Sequence, residues 1–162
     1  MTIGGRGRSR RVACSREIEK ERKMAKHTIE VASAVIQRQG RYLIAQRPAG
    51  SYLGPLWEFP GGKCEKGESL QECLIREVKE KLEIGVAVEK EWRKIELEYP
   101  TRIVRLCFFL CTIVSGSPRA IGCQHFRWIS PLEFGGYEFP PADQDIVNEL
   151  ARKAARPAAS RT

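Results

Sequence analysis

One predicted helix separates two groups of strand-like segments, and this order narrows the range of folds more than any other feature of the sequence. Ser69 and Glu72 have the spacing of a capping box, which predicts a helix from residue 69 to about residue 82. Segments rich in apolar or β-branched residues lie before it, at 28–37 and 41–47, and after it, at 86–99, 102–114 and 126–129. A second helix is predicted to begin near Asp143. The order strands, helix, strands, helix predicts an α/β (α+β) sandwich in which helices cover a mixed β-sheet.

The basic charge of the chain is concentrated at its two ends. The net charge is +8, of which residues 1–23 carry +5 and residues 152–162 carry +4, so that residues 24–151 carry −1. We therefore expect one domain at 24–151, preceded by a basic, disordered extension at 1–23 and followed by a basic tail at 152–162. Because the domain is close to neutral, we expect no stable nucleic-acid binding, with weak polyanion binding by the tails as the alternative. Met24 stands directly before the first strand, so Met1 and Met24 are both candidate start residues.

The sequence predicts a cytoplasmic protein with no membrane segment. No apolar run reaches the roughly 20 residues that cross a bilayer, and the chain does not begin with the apolar stretch of a secretory signal. The six cysteines form no Cys-x-x-Cys pair, so we expect reduced thiols packed as small apolar residues and no zinc site. The oligomeric state is left open by the sequence.

The helix predicted over 70–82 carries charges at the edge of its apolar face. Its core-facing stripe consists of Leu74, Ile75, Val78 and Leu82. Glu77 and Lys81 lie beside the buried sector, where an unpaired charge would be costly, and Glu77 and Glu80, about one turn apart, point towards a common volume. Two carboxylates on one helical edge suit Mg²⁺ when a phosphate supplies further oxygens. A solvated ridge with Glu77 paired to Lys81 is the alternative interpretation of the same spacing.

Residues 62–84 resemble the Nudix box, whose pattern is G-x5-E-x7-R-E-U-x-E-E-x-G-U with U apolar. The matching positions are Gly62, Glu68, Arg76, Glu77, Val78 and Glu80. The similarity to the MutT branch covers about residues 27–151 and includes Phe59-Pro-Gly-Gly62 and Phe139-Pro-Pro-Ala-Asp143. This resemblance implies a Nudix-type α/β/α sandwich and a nucleoside triphosphate pyrophosphohydrolase that sanitises the nucleotide pool. It also implies a divalent metal, with Mg²⁺ expected and Mn²⁺ as the alternative.

The resemblance further implies a role for each matched residue of the box. Glu77 and Glu80 are expected to bind the metal, and Gly62 to offer it a backbone carbonyl. Arg76 and Glu68 are expected to form the ion pair that holds the loop against the helix. These four side chains are the expected catalytic set.

Substrate contacts are implied at five further positions. Arg47 is expected to reach the nucleotide, Phe59 and Tyr99 to line the base pocket, and Arg102 to lie beside it. Asp143 would read the base edge, and because an ionised carboxylate only accepts hydrogen bonds, it favours the donors of guanine or cytosine. Both 8-oxo-dGTP and cytidine-type triphosphates are therefore candidate substrates. The alternatives are a core role for Phe59, strand-end charges for the arginines and a helix N-cap for Asp143.

The chain departs from the family pattern at two places. Lys81 replaces the last glutamate of the box, and Glu83 replaces its glycine, with Gly85 as a candidate for a displaced helix end. The segment 115–124 aligns with a MutT loop that carries a further metal-binding acid, and it contains no acid. We therefore expect weaker metal binding and reduced or altered hydrolysis. Lys81 would contact a phosphate as a point charge, or else lie on the surface beside Leu70. The alternative function is a catalytically weak or inactive Nudix-fold module that binds a nucleotide or a protein partner.

Overall fold

The computed structural model describes residues 15–156 and contains seven strands, three α-helices and one 3₁₀-helix. In chain order these are α1 (Ser15–Met24), β1 (His27–Arg38), β2 (Arg41–Gln46), β3 (Trp57–Glu58), β4 (Gly61–Lys63), α2 (Leu70–Leu82), β5 (Gly85–Glu98), β6 (Arg102–Ser115), β7 (Phe126–Ile129), the 3₁₀-helix (Pro131–Gly136) and α3 (Pro141–Ala155).

The sheet is mixed, and β1 lies at its centre. β1 runs parallel to β6 and antiparallel to β2 and β4, while β5 pairs antiparallel with β6. β3 and β7 both pair antiparallel with β2. Ala32 in the middle of β1 lies opposite Gly62 on one side and Cys107 on the other. The strand β4, which contains Gly61 and Gly62 and precedes α2, is therefore paired with the central strand of the sheet.

Helices cover both faces of this sheet. Ala32, Ala34 and Ile36 of β1 belong to the buried cluster that contains the apolar residues of α2. The side chains of Val31 and Val35 point to the opposite face, as the two-residue period of a strand requires, and join the cluster beneath α3. The predicted sandwich of a mixed sheet between helices is confirmed.

The domain boundaries differ from those expected at both ends. Ser15–Met24 forms α1, so the disorder expected for residues 1–23 is wrong for the last nine of them. The helix contacts β5 through charged side chains, since Lys23 lies 3.5 Å from Glu96 and Arg22 lies 3.9 Å from Glu98. At the other end, α3 continues to Ala155 through the first residues of the predicted tail. Residues 1–14 and 157–162 lie outside the described residues, and the predictions for them are untested.

The expectation that the cysteines are dispersed reduced thiols is wrong for one pair. Cys64 and Cys73 form a disulfide, with their Cα atoms 5.0 Å apart. β4 and the first turn of α2 lie side by side, and this brings together two residues that are nine positions apart in the sequence. Cys107 and Cys111 are buried free thiols and Cys123 is a half-buried one, as expected.

Among residues 15–156, the structure contains no helix with the length and apolar character that a membrane span requires.

Candidate functional site

The start of α2 is fixed by the predicted capping box. The Ser69 hydroxyl accepts a hydrogen bond from the Glu72 amide at 3.2 Å, and the Glu72 carboxylate accepts one from the Ser69 amide at 2.8 Å. The backbone amides of Ser69 and Glu72, which have no partner within the helix, are thereby hydrogen-bonded. The cap fixes where α2 begins, and the burial of Leu74, Val78 and Leu82 fixes which side of the helix faces the sheet.

Glu77 lies directly against the backbone of Gly62. Gly62 forms part of β4, and a Cβ atom built on it would collide with the carboxylate of Glu77, whose three atoms are its nearest neighbours. The Glu77 side chain is only 15% exposed. Only glycine leaves space for this carboxylate beside the backbone. The structure thus brings together Gly62 and Glu77, two of the residues predicted for the site.

Arg76 joins the loop to both acidic residues of α2. Its guanidinium donates to the two carboxylate oxygens of Glu68 at 2.6 and 3.0 Å, in the bidentate arrangement that is typical of strong pairs. The same side chain donates to Glu77 at 3.0 Å and to Glu80 at 3.3 Å. The hydrogen bonds that Glu68 accepts from Arg76, together with one from the Glu65 amide, lower the pKa of Glu68 to about 2. The predicted pairing of Arg76 with Glu68 is present.

The donor set at this place fits a hard divalent cation. Glu77 and Glu80 contact the same nitrogen of Arg76, so their oxygens converge, and Glu80 is 60% exposed and open to solvent. Carboxylate and carbonyl oxygens are the ligands that Mg²⁺ prefers. Because Gly62 has no side chain, the carboxylate of Glu77 can lie directly beside the Gly62 backbone.

Lys81 points into the site and not towards Leu70. Its ammonium group contacts the backbone carbonyl of Gly61 and lies 3.2 Å from a carboxylate oxygen of Glu58. The other oxygen of Glu58 accepts a hydrogen bond from Arg47 at 2.6 Å. Glu58 therefore lies between two cationic side chains. The surface position expected as one alternative for Lys81 is wrong.

Asp143 is buried beside this group and does not cap α3. The N-cap of α3 is Pro140, and Asp143 is the third residue of the helix. One oxygen of its carboxylate accepts a hydrogen bond from the Phe59 amide at 3.3 Å. Burial, helped by the negative charge of Glu58, raises the pKa of Asp143 to about 7. The N-cap alternative for Asp143 is therefore wrong.

Phe59 lies in the core. Its ring is 1% exposed and stacks on Phe139 at a centroid distance of 6.0 Å. The structure thus shows the core role that was the alternative to a wall of the base pocket. Its backbone amide is the part that contributes to the site, by holding Asp143.

Tyr99 and Arg102 lie at the turn between β5 and β6. The Arg102 guanidinium lies 5.1 Å from the centre of the Tyr99 ring, and Tyr99 is 36% exposed. Arg102 is in register with His27, whereas Gly62 is in register with Ala32, which is five residues, or about 16 Å, further along β1. The structure therefore pairs these two residues with each other and separates them from the acidic cluster.

Sequence reasoning missed Glu58 and the disulfide. Glu58 is an acidic residue within the apolar run 56–59, and this interruption of the run is the signal that was available. Its two partners, Arg47 and Lys81, are 11 and 23 residues away in the sequence. For Cys64 and Cys73, no spacing rule indicates the pair, because their proximity arises from the packing of α2 against β4.

Comparison with known proteins gives one consistent family. The sequence model of the NUDIX domain matches residues 31–149. The CTP pyrophosphohydrolase of Escherichia coli K12 is 40% identical over 131 residues, which cover 80% of this chain and 97% of that protein. The 8-oxo-dGTP diphosphatase of E. coli K12 is 30% identical over 125 residues, covering 76% and 97%. The solution structure of the E. coli ORF135 protein superposes with a TM-score of 0.69 at 37% identity and covers 84% of this chain and 98% of its own.

Proposed function

The chain belongs to the Nudix hydrolase family, in its MutT-like branch, and we propose that it is a Mg²⁺-dependent pyrophosphohydrolase of nucleoside triphosphates. Water would cleave the triphosphate to give a nucleoside monophosphate and pyrophosphate. The observation that carries this proposal is the Glu77 carboxylate lodged against Gly62, with Arg76 holding Glu77 and Glu80 together.

Glu77 and Glu80 would hold the divalent cation. When bound, such a cation neutralises phosphate charge and makes an attacking water more acidic. Arg76 keeps the two carboxylates in place through its bidentate bond to Glu68, so the loop and the helix remain in one arrangement. Positioning and charge neutralisation are the main requirements of phosphoryl transfer; these residues supply the positioning, and the cation that they would hold supplies the neutralisation.

The substrate is proposed to be a cytidine-type triphosphate or 8-oxo-dGTP. The relatives that support this pair are the CTP pyrophosphohydrolase and the 8-oxo-dGTP diphosphatases. Arg47 is proposed to contact the nucleotide, because its guanidinium is bound to Glu58 close to Lys81. Asp143, which lies near Glu58, is proposed to read the base edge. Tyr99 and Arg102 are proposed to contact the base from the β5–β6 turn.

The decisive experiment is a screen of normal and oxidised nucleoside triphosphates with Mg²⁺, in which the products are identified. We expect pyrophosphate and a monophosphate from wild type, and a loss of activity of at least about a hundredfold in Glu77→Gln, which keeps the size of the side chain but removes its charge. Glu83→Gln is the matched control on the same helix and should retain wild-type turnover. Hydrolysis that is equal in wild type and Glu77→Gln would contradict the assigned site.

The catalytically silent nucleotide-binding module is the second candidate, and the Lys81 contact is the observation that favours it. It predicts nucleotide binding by wild type without pyrophosphate release at any Mg²⁺ concentration. The same screen, combined with a binding measurement, separates the two candidates.

A further inference from the structure

The side chain of Lys81 occupies a position that is lined by oxygen atoms. Its ammonium group touches the carbonyl oxygen of Gly61 and a carboxylate oxygen of Glu58, and the side chain is 21% exposed. A carbonyl and a carboxylate oxygen facing one point are the kind of ligands that a hard cation takes. In this chain a lysine places its own positive charge there.

The segment 119–123 fixes the backbone of the same lysine. The amides of Ile121 and Gly122 donate to the Lys81 carbonyl at 3.1 and 3.0 Å. A Cβ atom on Gly122 would lie 3.2 Å from the Cα of Lys81, so glycine permits this close approach. The two departures from the family pattern, the lysine and the loop without an acid, therefore contact each other.

Glu58 keeps the ammonium group in place. Its side chain is 14% exposed, and its two oxygens are divided between Lys81 at 3.2 Å and Arg47 at 2.6 Å. The single negative charge of Glu58 is thus shared by the two positive charges of Lys81 and Arg47, and the three side chains together carry a net charge of +1. That surplus charge lies at the edge of the acidic cluster, where phosphates are proposed to bind.

We propose that the Lys81 ammonium is a tethered cation of the active site, which takes the place of one divalent ion beside Gly61 and Glu58. The role of this charge in hydrolysis rests on the proposed function. Glu77 and Glu80 then bind the remaining divalent metal, and the protein needs one ion fewer than a variant with a carboxylate at position 81. A fixed charge of this kind offsets phosphate charge without having to be recruited from solution.

The first test counts Mn²⁺ bound per protein in the absence of nucleotide, by electron paramagnetic resonance of the free ion. We expect Lys81→Glu to bind one Mn²⁺ more than wild type. Lys79→Glu, an exposed lysine on the same helix, makes the same change of charge and should bind as wild type does. Equal numbers for a folded Lys81→Glu and wild type would overturn the proposal. The count does not depend on hydrolysis, so it stands even if the proposed function fails.

A second variant tests where the additional ion binds. Adding Glu58→Gln to Lys81→Glu removes the neighbouring carboxylate, and we expect the affinity for the additional Mn²⁺ to fall about tenfold or more. An additional ion that is unaffected by Glu58→Gln would bind elsewhere and would contradict the assigned position.

A third measurement does not require Lys81→Glu to fold. With EDTA present, binding of a non-hydrolysable nucleoside triphosphate is expected to weaken about tenfold in Lys81→Gln, and Lys81→Arg should restore most of it because the charge returns. A Lys79→Gln control should bind as wild type does. If Lys81→Gln binds the analogue as tightly as wild type without metal, the ammonium is not a cation of the site.

Discussion

At the scale of single residues, Arg76 determines how the acidic side chains are arranged. Its guanidinium contacts Glu68 on the loop and both Glu77 and Glu80 on the helix. The planar guanidinium reaches all three because it offers five donors in fixed directions, which a lysine does not. The carboxylates are thus held close together, where two like charges would otherwise repel each other.

Asp143 gives a prediction about pH. Burial raises its pKa in the folded protein to about 7 from an ordinary value of 3.8, so the folded state binds the proton more tightly than the unfolded state does. The contribution of Asp143 to stability is therefore most favourable below about pH 4 and is lost as the pH rises to about 7. Asp143→Asn removes this titration and can still accept the hydrogen bond from Phe59.

We expect the stability of Asp143→Asn relative to wild type to rise by about 2 kcal/mol between about pH 5 and pH 8, with most of the rise complete by pH 7. Urea unfolding at four pH values across this range measures it. Asp145→Asn, which removes an exposed acid from the same helix, should show no such trend. A difference between Asp143→Asn and wild type that is constant with pH would contradict the prediction.

At the scale of elements, the end of α2 does not follow the expectation. Gly85 was the candidate for a displaced helix end, but Glu83 itself is the C-cap, with a left-handed φ of 61°, and its amide donates to the Lys79 carbonyl at 2.9 Å. The helix thus ends at the position of the family's glycine even though the residue is a glutamate. Position 83 therefore adopts the left-handed conformation of a helix C-cap, although glutamate does not favour that conformation.

This strained cap predicts a stabilising substitution. A residue with a Cβ atom in the left-handed conformation costs roughly 1 kcal/mol, so Glu83→Gly should raise the free energy of unfolding by about 0.5–1 kcal/mol. The ion pair that is lost with Arg119 is largely exposed and contributes little. Lys79→Gly, in the interior of the same helix, should instead destabilise by about 1 kcal/mol. Urea unfolding that shows both variants destabilised alike would contradict this account of the cap.

The disulfide between β4 and α2 gives the other prediction at this scale. The two cysteines are nine residues apart, and closing a loop of that length stabilises a folded chain by about 2–3 kcal/mol. We therefore expect dithiothreitol to lower the stability of wild type against urea by that amount. Cys64→Ser should be less stable than oxidised wild type and insensitive to the reductant. Unfolding curves of wild type that coincide with and without dithiothreitol would show that the bridge contributes nothing.

At the scale of the whole molecule, local signals in the sequence predicted most of the fold. The apolar or β-branched segments that predicted β1, β2 and β6 and the capping box of α2 all depend on residues close together in the chain, and the structure contains each of these elements. The helix α1 was missed because the charges of residues 15–24 were interpreted as those of a solvated tail. The partners of Arg22 and Lys23, which are Glu96 and Glu98, lie more than 70 residues further along the chain.

The residues of the site likewise fall into those that local sequence signals predicted and those that they did not. Gly62, Glu68, Arg76, Glu77 and Glu80 belong to one continuous segment with fixed spacing, and the structure brings their side chains or backbone together. The contacts of Lys81 with Glu58 and of Asp143 with Phe59 join separate segments, so they depend on how α2 and α3 pack on the sheet. No periodicity within one segment specifies such contacts.

The short segment after β6 has a consequence for how this protein could change. Residues 121 and 122 bind the carbonyl of Lys81, and two positions later Gln124 donates to the carbonyl of Arg47 at 2.9 Å. One short stretch thus contacts the backbone of both residues whose cationic groups share Glu58. An insertion or deletion there would displace the two charges together, so the length of this stretch offers evolution, or an engineer, a way to retune the site while every side chain in it stays the same.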